Sequence, residues 1–92
     1  MPTSPKNLPS RSYRASDRYI AEAKALGARV RAVRKAKGWT LETAAKHAGI
    51  EYQHIQKIES GALNVTLVTL VRLAEGFEVA LSSFFVDSPS QT

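Results

Sequence analysis

Residues 40–61 carry two short apolar-periodic segments, each opened by a polar residue and closed by a glycine. This punctuation constrains the fold more than any other feature of the chain. Behind Thr40, a good helix N-cap, Leu41, Ala44, Ala45 and Ala48 recur at helical spacing until Gly49. From about Glu51 to Ser60, Ile55 and Ile58 fall on one helical face before Gly61. Ala45 stands where only a small side chain lets two helices cross at close range. Gly49 stands where the turn calls for a positive φ, which glycine adopts at no Cβ cost. Met together, these demands read as a helix-turn-helix.

The flanking segments have the same period, and no alternating strand pattern occurs. Ser16 or Asp17 caps a first helix in which Ile20, Ala23, Leu26, Val30 and Val33 recur at spacings of three and four. It stops at Lys37-Gly38, where Lys35 and Lys37 suit a helix C-terminus. Gly27 costs roughly 1 kcal/mol relative to Ala and marks a candidate break into two pieces. Thr66 caps a fourth helix, with Leu67, Leu70, Val71 and Ala74 expected inward and Gly76 near its end. Leu81, Phe84 and Phe85 form a last short helical turn. The expected fold is all-α, a compact five-helix domain over residues 16–86. A Pro-, Ser- and Arg-rich basic arm over residues 1–15 is expected to be flexible, and residues 87–92 to form a disordered tail.

Ninety-two residues leave room for one core. The lack of cysteine excludes disulfides and thiolate metal sites. No apolar run approaches the roughly 18–20 residues that span a bilayer, and the first residues lack the apolar segment of a secretory signal, so a cytoplasmic location is expected. The net charge of +5 is divided unevenly. Residues 1–38 hold ten Lys or Arg against Asp17 and Glu22, whereas residues 39–92 hold three against six acids. Such a basic block points to a polyanionic partner, nucleic acid first. Lys6, Arg11 and Arg14 precede the first acid, free to neutralise phosphates or to enter a minor groove. The arm lacks the amphipathic apolar face of a membrane anchor. No serine stands in a nucleophile elbow and no glycine loop of the phosphate-cradling kind is present. His47 and His54 lie on successive helices without a carboxylate or thiolate set at ligand spacing. Neither an enzyme, a cofactor nor a metal site is expected.

Several stretches carry a family resemblance: Leu26-Gly27-Ala28-Arg29-Val30-Arg31, Arg34-Lys35-Ala36-Lys37-Gly38-Trp39-Thr40, Ala45-Lys46-His47-Ala48-Gly49-Ile50 and Ile55-Gln56-Lys57-Ile58-Glu59-Ser60-Gly61. With Leu67, Thr69, Leu70, Leu73, Ala74, Val79, Leu81 and Phe85, the chain resembles the Cro/C1-type (XRE-like, lambda-repressor-like) helix-turn-helix proteins over residues 26–85. The resemblance implies a DNA-binding domain that commonly acts as a homodimeric transcriptional regulator on an inverted repeat. The third helix then lies in the major groove, with Tyr52, Gln53 and Lys57 at base edges and His54 and Gln56 beside them. Gln bonds adenine N6 and N7, Lys donates to guanine O6 and N7, and Tyr packs on a thymine methyl or reaches a phosphate. Thr40, Arg11 and Arg14 complete the expected DNA-binding set. Glu59 is implied to pair structurally with Arg34, and Trp39 and Phe77 to be core aromatics. Leu41 replaces a glutamine common in the family, and Glu51 replaces a common Ser or Thr cap, leaving phosphate anchoring to the basic first helix and arm. Homodimerisation is expected through Leu81, Phe84, Phe85 and the fourth helix, with Leu63, Val65 and Val68 adding apolar surface. The alternative is a protein-interaction module, an antitoxin or adaptor on the same fold, whose acidic C-terminal half meets another protein.

Overall fold

The computed structural model describes residues 16–62 and 64–86, so the arm with Arg11 and Arg14, Leu63 and the tail lie outside the described residues. Among these residues the chain forms four α-helices and one 3-10 turn. They are α1 (Asp17–Ala36), α2 (Leu41–Ala48), α3 (Tyr52–Ser60) and α4 (Leu67–Phe77), followed by the 3-10 turn Leu81–Phe84. The fifth helix expected from Leu81, Phe84 and Phe85 is therefore this single 3-10 turn.

Local side-chain chemistry starts three of the helices. The Ser16 hydroxyl accepts from the Tyr19 N–H at 3.1 Å, the Thr40 hydroxyl from the Thr43 N–H at 3.1 Å and the Thr66 hydroxyl from the Thr69 N–H at 3.3 Å. In each case one of the orphan donors of a first turn is satisfied. Thr40 and Thr66 each also donate a hydroxyl hydrogen bond to the threonine three residues on, at 3.1 Å. α2 ends on Gly49 at φ 72°, the left-handed conformation its position demands.

α1 runs unbroken through Gly27, so the candidate break there is not made. Gly27 has a tertiary reason. A Cβ there would lie 2.3 Å from the Ile58 carbonyl oxygen and 2.6 Å from that of Glu59, so the backbones of α1 and α3 touch. The apolar stripe of α1 reaches the core only in its second half: Ile20 is exposed, whereas Gly27, Val30 and Arg34 are buried. Gly76 makes the matching close approach of α4 to α2, since a Cβ would fall 2.5 Å from the Ala48 Cα. It does not terminate α4; Glu78 does, at φ 59° in the left-handed region.

The core comprises Val30, Ala44, Ala48, Ile55, Ile58, Leu70, Leu73, Ala74, Phe77 and Phe84. Phe77 sits at its centre, edge-on to Trp39 at 5.6 Å and to Phe84 at 6.3 Å between ring centroids. The inward face of α4 differs from the expectation. Thr69, Leu70, Leu73, Ala74 and Phe77 are buried, whereas Leu67 is 65% and Val71 38% exposed. The segment Leu-Val-Thr-Leu-Val-Arg-Leu-Ala is apolar around most of its circumference, so period alone does not orient it, and Leu73 and Phe77 settle the rotation. The expected interface residue Phe84 is likewise a core residue, fully buried, while its neighbour Phe85 is 52% exposed. Leu81 packs partly buried against the core. Among the described residues no helix is long and apolar enough to cross a membrane.

Candidate nucleic-acid interface

α3 is amphipathic in the strict sense: Ile55 and Ile58 are buried, and Tyr52, Gln53, Gln56, Lys57 and Ser60 are exposed. Positions 52, 53, 56 and 57 are spaced by one, four and five residues, so they share one helical face. Burial of each isoleucine contributes about 1.5–3 kcal/mol, which holds a nine-residue helix that could not persist alone. His54, expected beside the groove residues, is half-buried and lies off this face.

Three further contacts fix α3. The α1–α3 backbone approach at Gly27 sets its distance from α1. Arg34 sets its rotation: Nε donates to Glu59 Oε2 at 2.7 Å and Nη2 donates to Glu59 Oε1 at 2.9 Å. The Nη1 of Arg34 also donates to the Trp39 carbonyl at 2.9 Å, so one guanidinium joins α1, the α1–α2 connection and α3. At the turn, Gly49 and Ile50 N–H donate to the Ala45 carbonyl at 2.8 and 3.2 Å, and Arg72 Nη1 reaches the Gly49 carbonyl at 3.4 Å. The exposed face of α3 is therefore presented on a rigid support.

The two ends of α3 differ. At the C-terminus Gly61 and Ala62 N–H donate to the Ile58 and Lys57 carbonyls, both at 3.0 Å, and Ser60 Oγ donates to the Lys57 carbonyl at 2.9 Å. At the N-terminus Glu51 occupies the cap position without a side-chain capping hydrogen bond. Thr40 is exposed, but its hydroxyl is engaged within its own helix start. Leu41, which departs from the common glutamine, is partly buried against the core and so has a packing role.

The basic first helix is only partly available to a polyanion. Arg34 is committed to Glu59, which raises its pKa above the ordinary guanidinium value: the hydrogen bond to Glu59 dominates, desolvation opposes it and the Glu59 charge adds to it. Arg18 pairs with Glu22 at 3.1 Å on the surface. Lys24 lies against Gly61, beside the C-terminal end of α3, a placement set by the α1–α3 crossing that no local pattern signals. His47 stacks on Trp39 with ring centroids 4.0 Å apart, and Lys37 Nζ stands 5.4 Å from the same indole. Trp39 is thus a half-buried bridge between core and surface, not a fully internal aromatic. Among the described residues there is no group of three or more His, Cys, Asp or Glu able to hold a metal ion.

Comparison with known proteins agrees with this geometry. The family model for the helix-turn-helix domain matches residues 25–82. The restriction-modification controller protein C.AhdI from Aeromonas hydrophila is 32% identical with a TM-score of 0.69, over 71% of this chain and 98% of that one. A transcriptional regulator of the HTH_3 family from Vibrio cholerae is 26% identical with a TM-score of 0.72, over 78% of this chain but only 40% of that protein. The hypothetical transcription factor NHTF from Neisseria shares the fold, with a TM-score of 0.67 at 24% identity over 97% of this chain and 92% of that one. No curated protein matches the chain. The chain belongs to the Cro/C1-type helix-turn-helix family, a family of DNA-binding regulators and not of enzymes.

Proposed function

We propose that the protein is a sequence-specific regulator of transcription that binds duplex DNA with α3 in the major groove, where Gln53 and Lys57 meet base edges and Tyr52 and Gln56 flank them. The observation that carries this reading is the shared exposed face of these four side chains on a helix clamped from behind by Arg34 and Glu59. Amide, ammonium and phenol groups on one face supply the donors and acceptors that major-groove edges require. Lys24, Arg11 and Arg14 add charge for phosphates. The site of action is the cytoplasm, at the nucleoid, and a bound site overlapping a promoter makes the protein a repressor.

The functional unit in this reading is a homodimer. Leu67, Val68, Val71, Phe85 and Val86 are large apolar side chains left exposed by the described residues, and apolar surface of this kind marks interfaces. Phe84 has no place in that surface; the α4 side chains and Phe85 take it over. A two-fold contact there sets two α3 helices about 34 Å apart, one turn of duplex, and makes the operator an inverted repeat. Selection from randomised duplexes, followed by titration of the chosen site across salt concentrations, tests the proposal. A reproducible inverted repeat and a steep salt dependence are expected. Absence of duplex binding at low salt overturns it in favour of the protein-interaction module.

A further inference from the structure

We propose that Glu51 is a specificity determinant that selects a cytosine in each half-site by accepting a hydrogen bond from the cytosine 4-amino group. The assignment rests on α3 being the groove-reading helix. Among the described residues four α-helices start on Ser16, Thr40, Glu51 and Thr66, and three of these caps use their side chains on their own first turn: Ser16, Thr40 and Thr66 each accept from the N–H three residues on. Glu51 does not. Its backbone is in the ordinary extended cap conformation at φ −73° and ψ 147°, and its carbonyl accepts from the His54 and Ile55 N–H groups at 3.0 and 3.3 Å. Its exposed carboxylate, however, makes neither a capping bond nor an ion pair with any described residue.

An uncommitted acid at the leading end of a groove helix is costly beside phosphates unless a base repays it. Residues at the N-terminal end of a recognition helix are those that contact base edges, and Glu51 immediately precedes Tyr52 and Gln53. An ionised carboxylate only accepts hydrogen bonds. Guanine O6 and N7 and thymine O4 are themselves acceptors and repel it. Adenine N6 lies between two acceptors, its own N7 and the paired thymine O4, whereas cytosine N4 lies at the outer edge of its pair with only guanine O6 beside it, so it is the major-groove donor that an acid takes with least opposition. Glu51 thus converts the general repulsion between an acid and DNA into a preference for one base. Lys57, the donor on the same helix, has the opposite preference, for guanine.

Selection from randomised duplexes with the wild-type chain, Glu51→Gln, Glu51→Ala and Glu51→Ser tests this. The wild type is expected to require cytosine at one position per half-site, with about a 10-fold loss of affinity on its replacement. Gln should shift that position towards adenine, and Ala and Ser should erase the preference there while leaving the other positions unchanged. Glu51→Ser supplies the missing hydroxyl cap, so a melting temperature at or above the wild-type value excludes unfolding as the cause. Identical base preferences in all four proteins, with uniformly tighter binding by the variants, would overturn the proposal and leave Glu51 a merely repulsive acid. A wild-type chain that selects no sequence would overturn the groove reading of α3 itself, and this assignment with it.

Discussion

Arg34 and Glu59 meet side-on in a two-pronged ion pair, 2.7 and 2.9 Å long, with side chains only 9% and 8% exposed. Removing one partner leaves a nearly buried charge without compensation, at a cost of about 3–5 kcal/mol. Glu59→Gln is therefore expected to lower the melting temperature by more than 10 °C, at about 4–8 °C per kcal/mol for a domain of this size. Glu51→Gln, which breaks no hydrogen bond, should change it little. Thermal unfolding followed by circular dichroism measures both.

The same pair fixes a pH expectation. The pKa of Arg34 is raised in the folded state, chiefly by its hydrogen bond to Glu59. A raised pKa gives stability that is complete below the unfolded value and is lost only as pH climbs through the folded one. Because an arginine already titrates far above neutral pH and this one is raised further, no loss through Arg34 is expected between about pH 7 and 10. Urea unfolding of wild type and Arg34→Ala at both pH values checks this: their difference in stability should stay constant.

Gly27→Ala is expected to destabilise by about 3 kcal/mol or more, because the new Cβ meets backbone oxygens of Ile58 and Glu59 that cannot rotate away. Gly38 gives the control. Its φ of 74° penalises Ala, but nothing lies within 4 Å, so Gly38→Ala should cost about 1–2 kcal/mol. Chemical denaturation of the two variants is the comparison; equal losses would remove the close approach as the reason for Gly27.

The difference between these glycines also shows what the sequence discloses. Local signals were legible: the hydroxyl caps at Ser16, Thr40 and Thr66, the turn at Gly49 and the buried pair Ile55 and Ile58 all follow from residue type and spacing. The Arg34–Glu59 pair was legible only through the family resemblance, since 25 positions separate its members. Gly27 read as a helix break because propensity is local, whereas its purpose lies in a neighbour remote in sequence. α4 misled for another reason: with Leu67, Val68, Leu70, Val71 and Leu73 nearly all round it, its rotation is set by what Leu73 and Phe77 fill. Nor does any pattern tell Phe84 from Phe85; the 3-10 turn decides which ring enters the core. The stacking of His47 on Trp39 likewise depends on how α2 packs beside the α1–α2 connection.

Phe84 and Phe85 should consequently respond in opposite ways to the same change. Phe84→Asp puts a charge into a site with no solvent exposure and is expected to abolish folding. Phe85→Asp, on the surface, is expected to leave the fold intact and to weaken self-association. Sedimentation velocity with circular dichroism separates these outcomes. A folded Phe85→Asp dimer as tight as wild type would place the two-fold contact elsewhere, with Leu67→Asp and Val71→Asp the next variants to test.

If the exposed face of α3 reads DNA sequence, competition binding of wild type, Gln53→Ala and Lys57→Ala to the selected operator and to a scrambled duplex should separate the three proteins. Each substitution should cost about 1–3 kcal/mol on the operator and relax base choice locally. On the scrambled duplex Gln53→Ala should bind as wild type does, and Lys57→Ala no more than slightly worse. Variants whose operator-to-scrambled ratio equals that of the wild type would contradict the account.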